Sequence, residues 1–377
     1  MTDKTDISHT NEELYICAKC GYCRDYCPAR RFKGFETYSA RGKILTMKRL
    51  LERHEPLTKD VVENCYMCAV CGYCKEMCPT EIDLPELFVN IRADLVKKGL
   101  GPLPAHLRIT QGIKEKHNPY SEPHEKRTAW LPEKLPQKAE VIYFVGCTPS
   151  YRTQKTAESV FRLLKKANVN FTVMPEEGCC GSPLLMTGQL DAAKTAIEHN
   201  TALMEGAKTL ITGCSGCYRM WKIGYEKVTG KKPPFEVFHV TEYLQFLLDE
   251  KKLKPTKEIR KRVTYHDPCH LGRHLGIFEP PRAILKSIPG VTLVEMERVK
   301  NLSRCCGAGA GVMTAFPDMA RFAASERIKE AEAAGAEILA SACPFCELNL
   351  SRTAEATGVK LQVTDITELL ALSLGLT

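Results

Sequence analysis

The chain holds nineteen cysteines in 377 residues, and all but one fall into four spaced sets. Two short sets repeat one rule: Cys17, Cys20, Cys23 and Cys27 before Pro28, then Cys68, Cys71, Cys74 and Cys78 before Pro79. Two longer sets each contain a Cys-Cys-Gly triplet. Cys147, Cys179, Cys180, Cys214 and Cys217 form the first; Cys269, Cys305, Cys306, Cys343 and Cys346 form the second. Only Cys65 is left over. Any fold must bring these scattered thiols together, a tighter constraint than any hydrophobic pattern. The odd total fits poorly with a paired disulfide framework, and dense thiols in a reducing compartment read as metal ligands.

The short sets follow the bacterial ferredoxin pattern for cubane 4Fe-4S clusters. Two residues between successive cysteines wrap three thiolates around one cube, and the cysteine before proline ligates the other cube. Cluster I then takes Cys17, Cys20, Cys23 and Cys78; cluster II takes Cys68, Cys71, Cys74 and Cys27. Four thiolates leave no iron open, so these centres are expected to carry single electrons rather than bind substrate. Zinc, with four ligands in two separated pairs, does not explain eight cysteines in this double pattern. Cys65 continues the even spacing of Cys68, Cys71 and Cys74, so the register rests on the proline after Cys78. Cys65 reads as a buried spectator, with a ligand role as the other reading.

Five thiols per long set exceed the needs of one zinc ion or one ordinary cube. Adjacent cysteines point poorly at a single tetrahedral ion but can bridge different irons of an extended cluster. The glycine after each pair lets backbone approach the sulfur closely. Structural zinc and a metal-free redox dithiol remain as alternatives.

Three segments are visible along the chain. Residues 1–100 hold both short sets. Ile44, Met47, Leu50 and Leu51 predict a helix over residues 41–54. A second is expected after Asp83, which caps it together with Glu86, with Leu84, Leu87, Phe88, Ile91 and Leu95 as its apolar stripe and Lys97, Lys98 and Gly99 at its end. Residues 101–138 are proline-rich and read as a surface linker, pinned by Trp130. Two similar halves follow, 139–256 and 257–377, with equivalent cysteines offset by 122 to 129 residues. Short apolar runs at 141–145, 171–174, 209–212, 263–265, 291–294 and 337–340 alternate with helical stretches, an α/β layout with parallel strands. Each Cys-x-x-Cys pair follows a strand and opens a helix, so the thiols gather at strand carboxyl ends. The expected fold is α+β multidomain: an α-helical ferredoxin domain, then duplicated α/β Cys-Cys-Gly domains.

The chain is long enough to bury a core without metal. No apolar run approaches the ~20 residues that cross a bilayer, and the polar start MTDKTDISHTNEELY lacks a signal core, so the cytoplasm is expected. The formal charge of +8 reads first as solvated surface lysine, and also suits an anionic substrate, an acidic partner or the inner membrane face. Nucleic acid is disfavoured for want of any recognition signature. Gly307, Gly309 and Gly311 fail the dinucleotide fingerprint, having no strand before them and the wrong spacing, and there is no P-loop. No flavin or nicotinamide site is expected in this chain, so its electrons come from a partner.

The order of two ferredoxin motifs and two Cys-Cys-Gly domains, with IRADLVKKGLGP, YHDPCHLGRH, CCGAGAGVMTAFPDMA and ASACPFC, resembles the D subunit of heterodisulfide reductase over nearly the whole chain. The resemblance implies that each five-cysteine set holds a noncubane 4Fe-4S cluster and that the two face one another across a disulfide. It implies reduction to two thiols, with the coenzyme M–coenzyme B heterodisulfide of methanogenesis as first-choice substrate. The electron donor would be a membrane cytochrome b subunit or a soluble flavoprotein like the family's A subunit, the former holding the chain against the inner membrane face. His266, His270, Arg273 and His274, around Cys269, are candidates for proton delivery or anion binding, His270 and Arg273 foremost. Arg152, Arg219 and Lys222 are candidates for an anionic substrate tail. A similar architecture occurs in the iron–sulfur subunits of glycolate, lactate and glycerol-3-phosphate dehydrogenases, which relay electrons from flavin to quinone. That relay is the alternative function.

Overall fold

The computed structural model describes residues 11–376; the first ten residues of the polar amino-terminal stretch lie outside it. Around the short cysteine sets the chain is helical. The helix Ala40–Arg53 opens at Ser39, whose hydroxyl accepts from Gly42 N at 3.0 Å, and stops at His54 in the left-handed region. Its buried face carries Ile44, Met47 and Leu50. The helix Leu84–Lys97 is capped by the Asp83 carboxylate, which accepts from Glu86 N at 3.1 Å. It buries Leu87, Phe88, Ile91 and Leu95 against Ile44, Met47 and Tyr66. Capping at one end and one apolar stripe per helix suffice to form this small core.

Part of the proline-rich segment departs from the linker reading. Pro104–Lys116 is a helix, with proline in its first turn and His106, Ile109 and Ile113 buried along one face. The flanking prolines and polar residues obscure this short stripe in the sequence. Trp130 is buried against Tyr143 and Phe161, as expected of an anchor.

Each of the two halves builds a four-stranded parallel sheet. The first contains β1 (Val141–Phe144), β2 (Phe171–Thr172), β3 (Thr209–Thr212) and β4 (Glu236–His239), in spatial order β2-β1-β3-β4. The second contains β5 (Lys261–His266), β6 (Val291–Leu293), β7 (Ile338–Ser341) and β8 (Gln362–Asp365), in order β6-β5-β7-β8. Register is set by Val141 beside Phe171 and Thr209, and by Val263 beside Leu293 and Ile338. β4 and β8, each at one edge of its sheet, escaped the sequence reading because they are short of buried apolar residues, Val237 alone in β4 and none in β8.

The halves clasp each other reciprocally. The last helix of the second, Ile366–Ser373, packs on Gln154–Lys166 of the first; Val240–Asp249, closing the first, packs on Glu279–Ser287 of the second. One hydrophobic core runs through both sheets. A separate small core joins the helical domain to the second half, combining Met67, Ala69, Cys71 and Tyr73 with Cys305, Val312, Met319 and Ala320.

In each sheet the strand order reverses between the first and third strands in chain order, and the crevice lies beyond their carboxyl ends. Cys147 and Cys214 follow β1 and β3; Cys269 and Cys343 follow β5 and β7. Topology alone thus gathers the thiols.

Candidate metal centres

Two small hollows occupy the helical domain. Cys17, Cys20, Cys23 and Cys78 line one, with Arg41 and Ile44. Cys27, Cys68, Cys71 and Cys74 line the other, along with Cys23 and Lys43. Cys65 lines neither; it is buried among apolar neighbours, and burial pushes its thiol up to about 11. Thiols converge from two loops on each hollow with no carboxylate among the lining residues, a donor set that suits a soft iron–sulfur cluster.

The long sets open onto one cavity of about 340 Å³ between the two sheets. Nine of the ten cysteines line it; Cys305 stands behind. The Cys343 thiol is held well below its ordinary value by hydrogen bonds from Cys214 and Cys346, so thiols of the two sets touch across the midline. Cys306 and Cys346 lie 3.3 Å apart. Cys305 meets Cys71, whose thiol it pulls down to about 6, and thereby joins the second hollow to the cavity.

The Cys-Cys-Gly triplet has a steric cause. Gly181 and Gly307 take φ values of +84° and +85°. A Cβ on Gly307 would lie 2.6 Å from the Ala323 Cβ, and one on Gly181 would lie 3.0 Å from Ala193 O. Only glycine both adopts this conformation and lets the thiol loop settle on the helix below.

A buried ion pair fixes the loop of the first set. Glu177 accepts from Val145 N at 2.9 Å and Gly146 N at 2.8 Å, and pairs with Arg127, whose guanidinium lies 3.8 and 3.9 Å from Cys147 Sγ. The second half uses Asp267 and Arg282, 2.7 Å apart, with Lys300 N donating to Asp267 at 2.9 Å. Asp267 lies in the YHDPCHLGRH stretch, but nothing in the sequence pairs it with Arg282 or Glu177 with Arg127, and Arg127 comes from the segment that reads as a linker.

Of the four basic residues near Cys269, only His270 lines the cavity. Its Nε2 is buried without a partner, and burial, then Arg219, pushes the imidazole down to about 3, so it is neutral. His266 lies instead against Cys306 and Cys346, a third potential ligand atom beside those thiols, and accepts from Arg327 at 3.3 Å. Arg273 faces away, donating to Cys71 O at 2.7 Å; His274 contacts Val70 O at 3.0 Å. Main-chain carbonyls of the helical domain claim both, because that domain packs on this loop.

The three cations considered for a substrate tail are also elsewhere. Arg152 pairs with Glu122 at 2.8 Å, Arg219 donates to His274 at 3.1 Å, and Lys222 lies over Tyr218. The cavity instead exposes Arg108, which forms no ion pair among the described residues and is the sole Lys, Arg, Asp or Glu of its lining. Tyr120, Thr148, Ser182 and Ser215 supply hydroxyls nearby. Arg108 projects from the helix hidden by the prolines, so sequence reasoning missed it.

This architecture defines an iron–sulfur protein with an N-terminal dicluster domain and a duplicated cysteine-rich module. The 4Fe-4S dicluster domain family matches residues 13–82, and the cysteine-rich CCG domain family matches residues 141–222 and 263–351. The D subunit of a dihydromethanophenazine:CoB–CoM heterodisulfide reductase from Methanosarcina acetivorans is 39% identical, over 97% of this chain and 95% of that protein. The B subunit of a fumarate reductase (CoM/CoB) from Methanothermobacter marburgensis is 32% identical, over 97% of this chain and 74% of its own. The crystal structure of a hypothetical protein from Helicobacter pylori shares the fold, with a TM-score of 0.59 at 11% identity over 89% of this chain and 68% of that one. The chain belongs to the family of heterodisulfide reductase D subunits, which are iron–sulfur oxidoreductases. Among the described residues, no helix is long and apolar enough to cross a membrane.

Proposed function

We propose that this chain is the disulfide-reducing subunit of a multi-subunit complex, with the coenzyme M–coenzyme B heterodisulfide as first-choice substrate. The observation carrying this reading is that both five-cysteine sets open onto one cavity, with Cys214 and Cys343 in contact across it. A relay of electrons needs only one such set and no room beside it.

The short sets suit two cubane clusters, one held by Cys17, Cys20, Cys23 and Cys78, the other by Cys27, Cys68, Cys71 and Cys74. The long sets suit two noncubane clusters: Cys147, Cys179, Cys180, Cys214 and Cys217 hold one, and Cys269, Cys305, Cys306, Cys343 and Cys346 the other. When bound, these centres supply single electrons and a metal for each departing sulfur. The net change is a disulfide plus two electrons and two protons giving two thiols.

The chain's own residues do the rest. The lining is mostly apolar and thiol, and Arg108 offers a cation to an acidic tail. His270 faces the cavity with a neutral imidazole whose Nε2 has no partner, so it is free to give or take one hydrogen bond with the substrate there. A separate protein of the complex passes electrons to the helical domain, either a membrane cytochrome b or a soluble flavoprotein. With the former, the chain sits peripherally on the inner membrane face.

The test is anaerobic purification followed by assay with reduced viologen and the heterodisulfide. The proposal expects two thiols per disulfide consumed. Protein carrying its full iron complement but releasing no thiol would favour the relay of flavin electrons to quinone.

A further inference from the structure

Three cations surround the second short set without an ion pair among the described residues, Glu76 acting on Arg273 only from beyond salt-bridge range. Lys43 lines the hollow of Cys27, Cys68, Cys71 and Cys74, is 2% exposed, and donates to Tyr38 O at 2.6 Å. Arg92 is wholly buried and gives its fork to main-chain carbonyls. It donates to Cys65 O at 3.0 Å, Tyr66 O at 3.2 Å and Cys68 O at 2.6 Å. It also reaches Met186 O at 2.7 Å and Ala310 O at 3.4 Å, one in each Cys-Cys-Gly half. Arg273, from the second half, donates to Cys71 O at 2.7 Å, to Asn301 O at 3.2 Å and to Ser303 O. A fold rarely buries even one cation without a countercharge, because desolvation is costly. Here two are gathered about one loop, with half-buried Arg273 as a third cation beside them.

The first short set is built differently. Arg41, the one charged residue lining its hollow, is paired with Glu36 at 2.9 Å, and Glu36 also binds Arg24. Cys20 beside it is exposed. This outer hollow therefore has solvent and an ion-paired cation, whereas the inner one has two buried cations without an ion pair, Lys43 and Arg92, and half-buried Arg273 beside them.

We propose that Lys43, Arg92 and Arg273 are the countercharge of the centre held by Cys27, Cys68, Cys71 and Cys74, and make it the electron acceptor of the two cubane clusters. The inference rests on the reading of the short sets as two such clusters. Each thiolate-held cube is anionic and gains one further negative charge on reduction. Burial alone opposes that charge; cations a few ångströms away favour it, most strongly where water is excluded. One electron leaves the outer centre as one arrives at the inner, with no bond made or broken and no proton moved. Direction then follows from placement: electrons enter near exposed Cys20 and are drawn to Cys71, which touches Cys305 at the back of the cavity. Arg92, bonded to all three parts of the fold, holds the inner loop at the junction.

The test is a redox titration of the anaerobically purified holoprotein followed by electron paramagnetic resonance. A soluble dysprosium chelate identifies the outer centre, since it relaxes the signal nearer solvent. The expected result is two cubane signals, with the inner reduced at the higher potential. Lys43→Met and Arg92→Gln should each lower the inner potential by at least 59 mV, a tenfold change in electron sharing, and move the outer much less. Arg92→Lys, which keeps the charge and loses the fork, should retain the inner potential. Reduction of the outer centre first in the unmodified protein would overturn the proposal without any variant. So would iron-replete Lys43→Met and Arg92→Gln proteins with an unmoved inner potential, or Arg92→Lys falling as far as Arg92→Gln. Fewer than two cubane signals would instead defeat the underlying assignment of the short sets.

Discussion

Glu177→Ala is the sharpest single perturbation of the first Cys-Cys-Gly half. The carboxylate is 1% exposed, pairs with Arg127, and accepts from Val145 N and Gly146 N, which lead into Cys147. Removing one partner of a buried ion pair costs about 3–5 kcal/mol, because the other charge stays buried and uncompensated. The two orphaned amides would add about 1–3 kcal/mol each if nothing relaxed. These contributions overlap, so a loss of about 4–6 kcal/mol is expected. Urea titration of the anaerobic protein measures it, and iron analysis reports whether the first long set still fills. Glu177→Gln should lose less, since its amide oxygen still accepts from one of the two amides. A Glu177→Ala protein within about 1 kcal/mol of the original, with iron unchanged, would refute the claim that this pair fixes the Cys147 loop.

Cys65→Ser should leave iron content and thiol release unchanged, because Cys65 lines neither hollow; iron analysis and the viologen assay check this. Arg108→Gln should raise KM roughly five- to tenfold for disulfides with an acidic tail, about 1 kcal/mol for one partly exposed charge, and leave neutral disulfides unaffected. Gly307→Ala should cost about 2–4 kcal/mol from the positive φ and the overpacking against Ala323, and empty the second long set of iron first. His106 is pushed down to about 4 by burial, then by Arg92. Its folded value lies below the unfolded 6.5, so its contribution is full above pH 6.5 and is lost as pH falls towards 4, about 3 kcal/mol in all. His106→Gln should flatten the urea midpoint over that window.

Much of the layout could be read from the cysteines. The ferredoxin rule predicts that Cys27 and Cys78 exchange between clusters, and Cys27 lines the hollow of Cys68, Cys71 and Cys74 while Cys78 lines that of Cys17, Cys20 and Cys23. The pairs Cys214–Cys217 and Cys343–Cys346 sit at helix starts, as their place after a strand suggests. Asp83 caps its helix as the sequence suggests, its carboxylate accepting from Glu86 N, whereas the cap at Ser39 is not among the sequence expectations. What stayed hidden was tertiary. Arg108 and Arg127 lie in a segment whose prolines mask a helix, and nothing local marks either as a wall of the cavity or a partner of Cys147. Arg273 sits beside Cys269 in sequence, as a catalytic group would, yet its fork is taken by Cys71 O, 202 residues away. Sequence neighbours of a ligand show proximity to the metal; they do not show which way the side chain turns.

Anomalous scattering at the iron edge, from anaerobic crystals soaked with the heterodisulfide, tests the central claim most directly. The account predicts two multi-iron centres in that cavity, one at each long set, with one substrate sulfur beside each. A lone metal ion in either long set, or a disulfide bound outside that cavity, would contradict it.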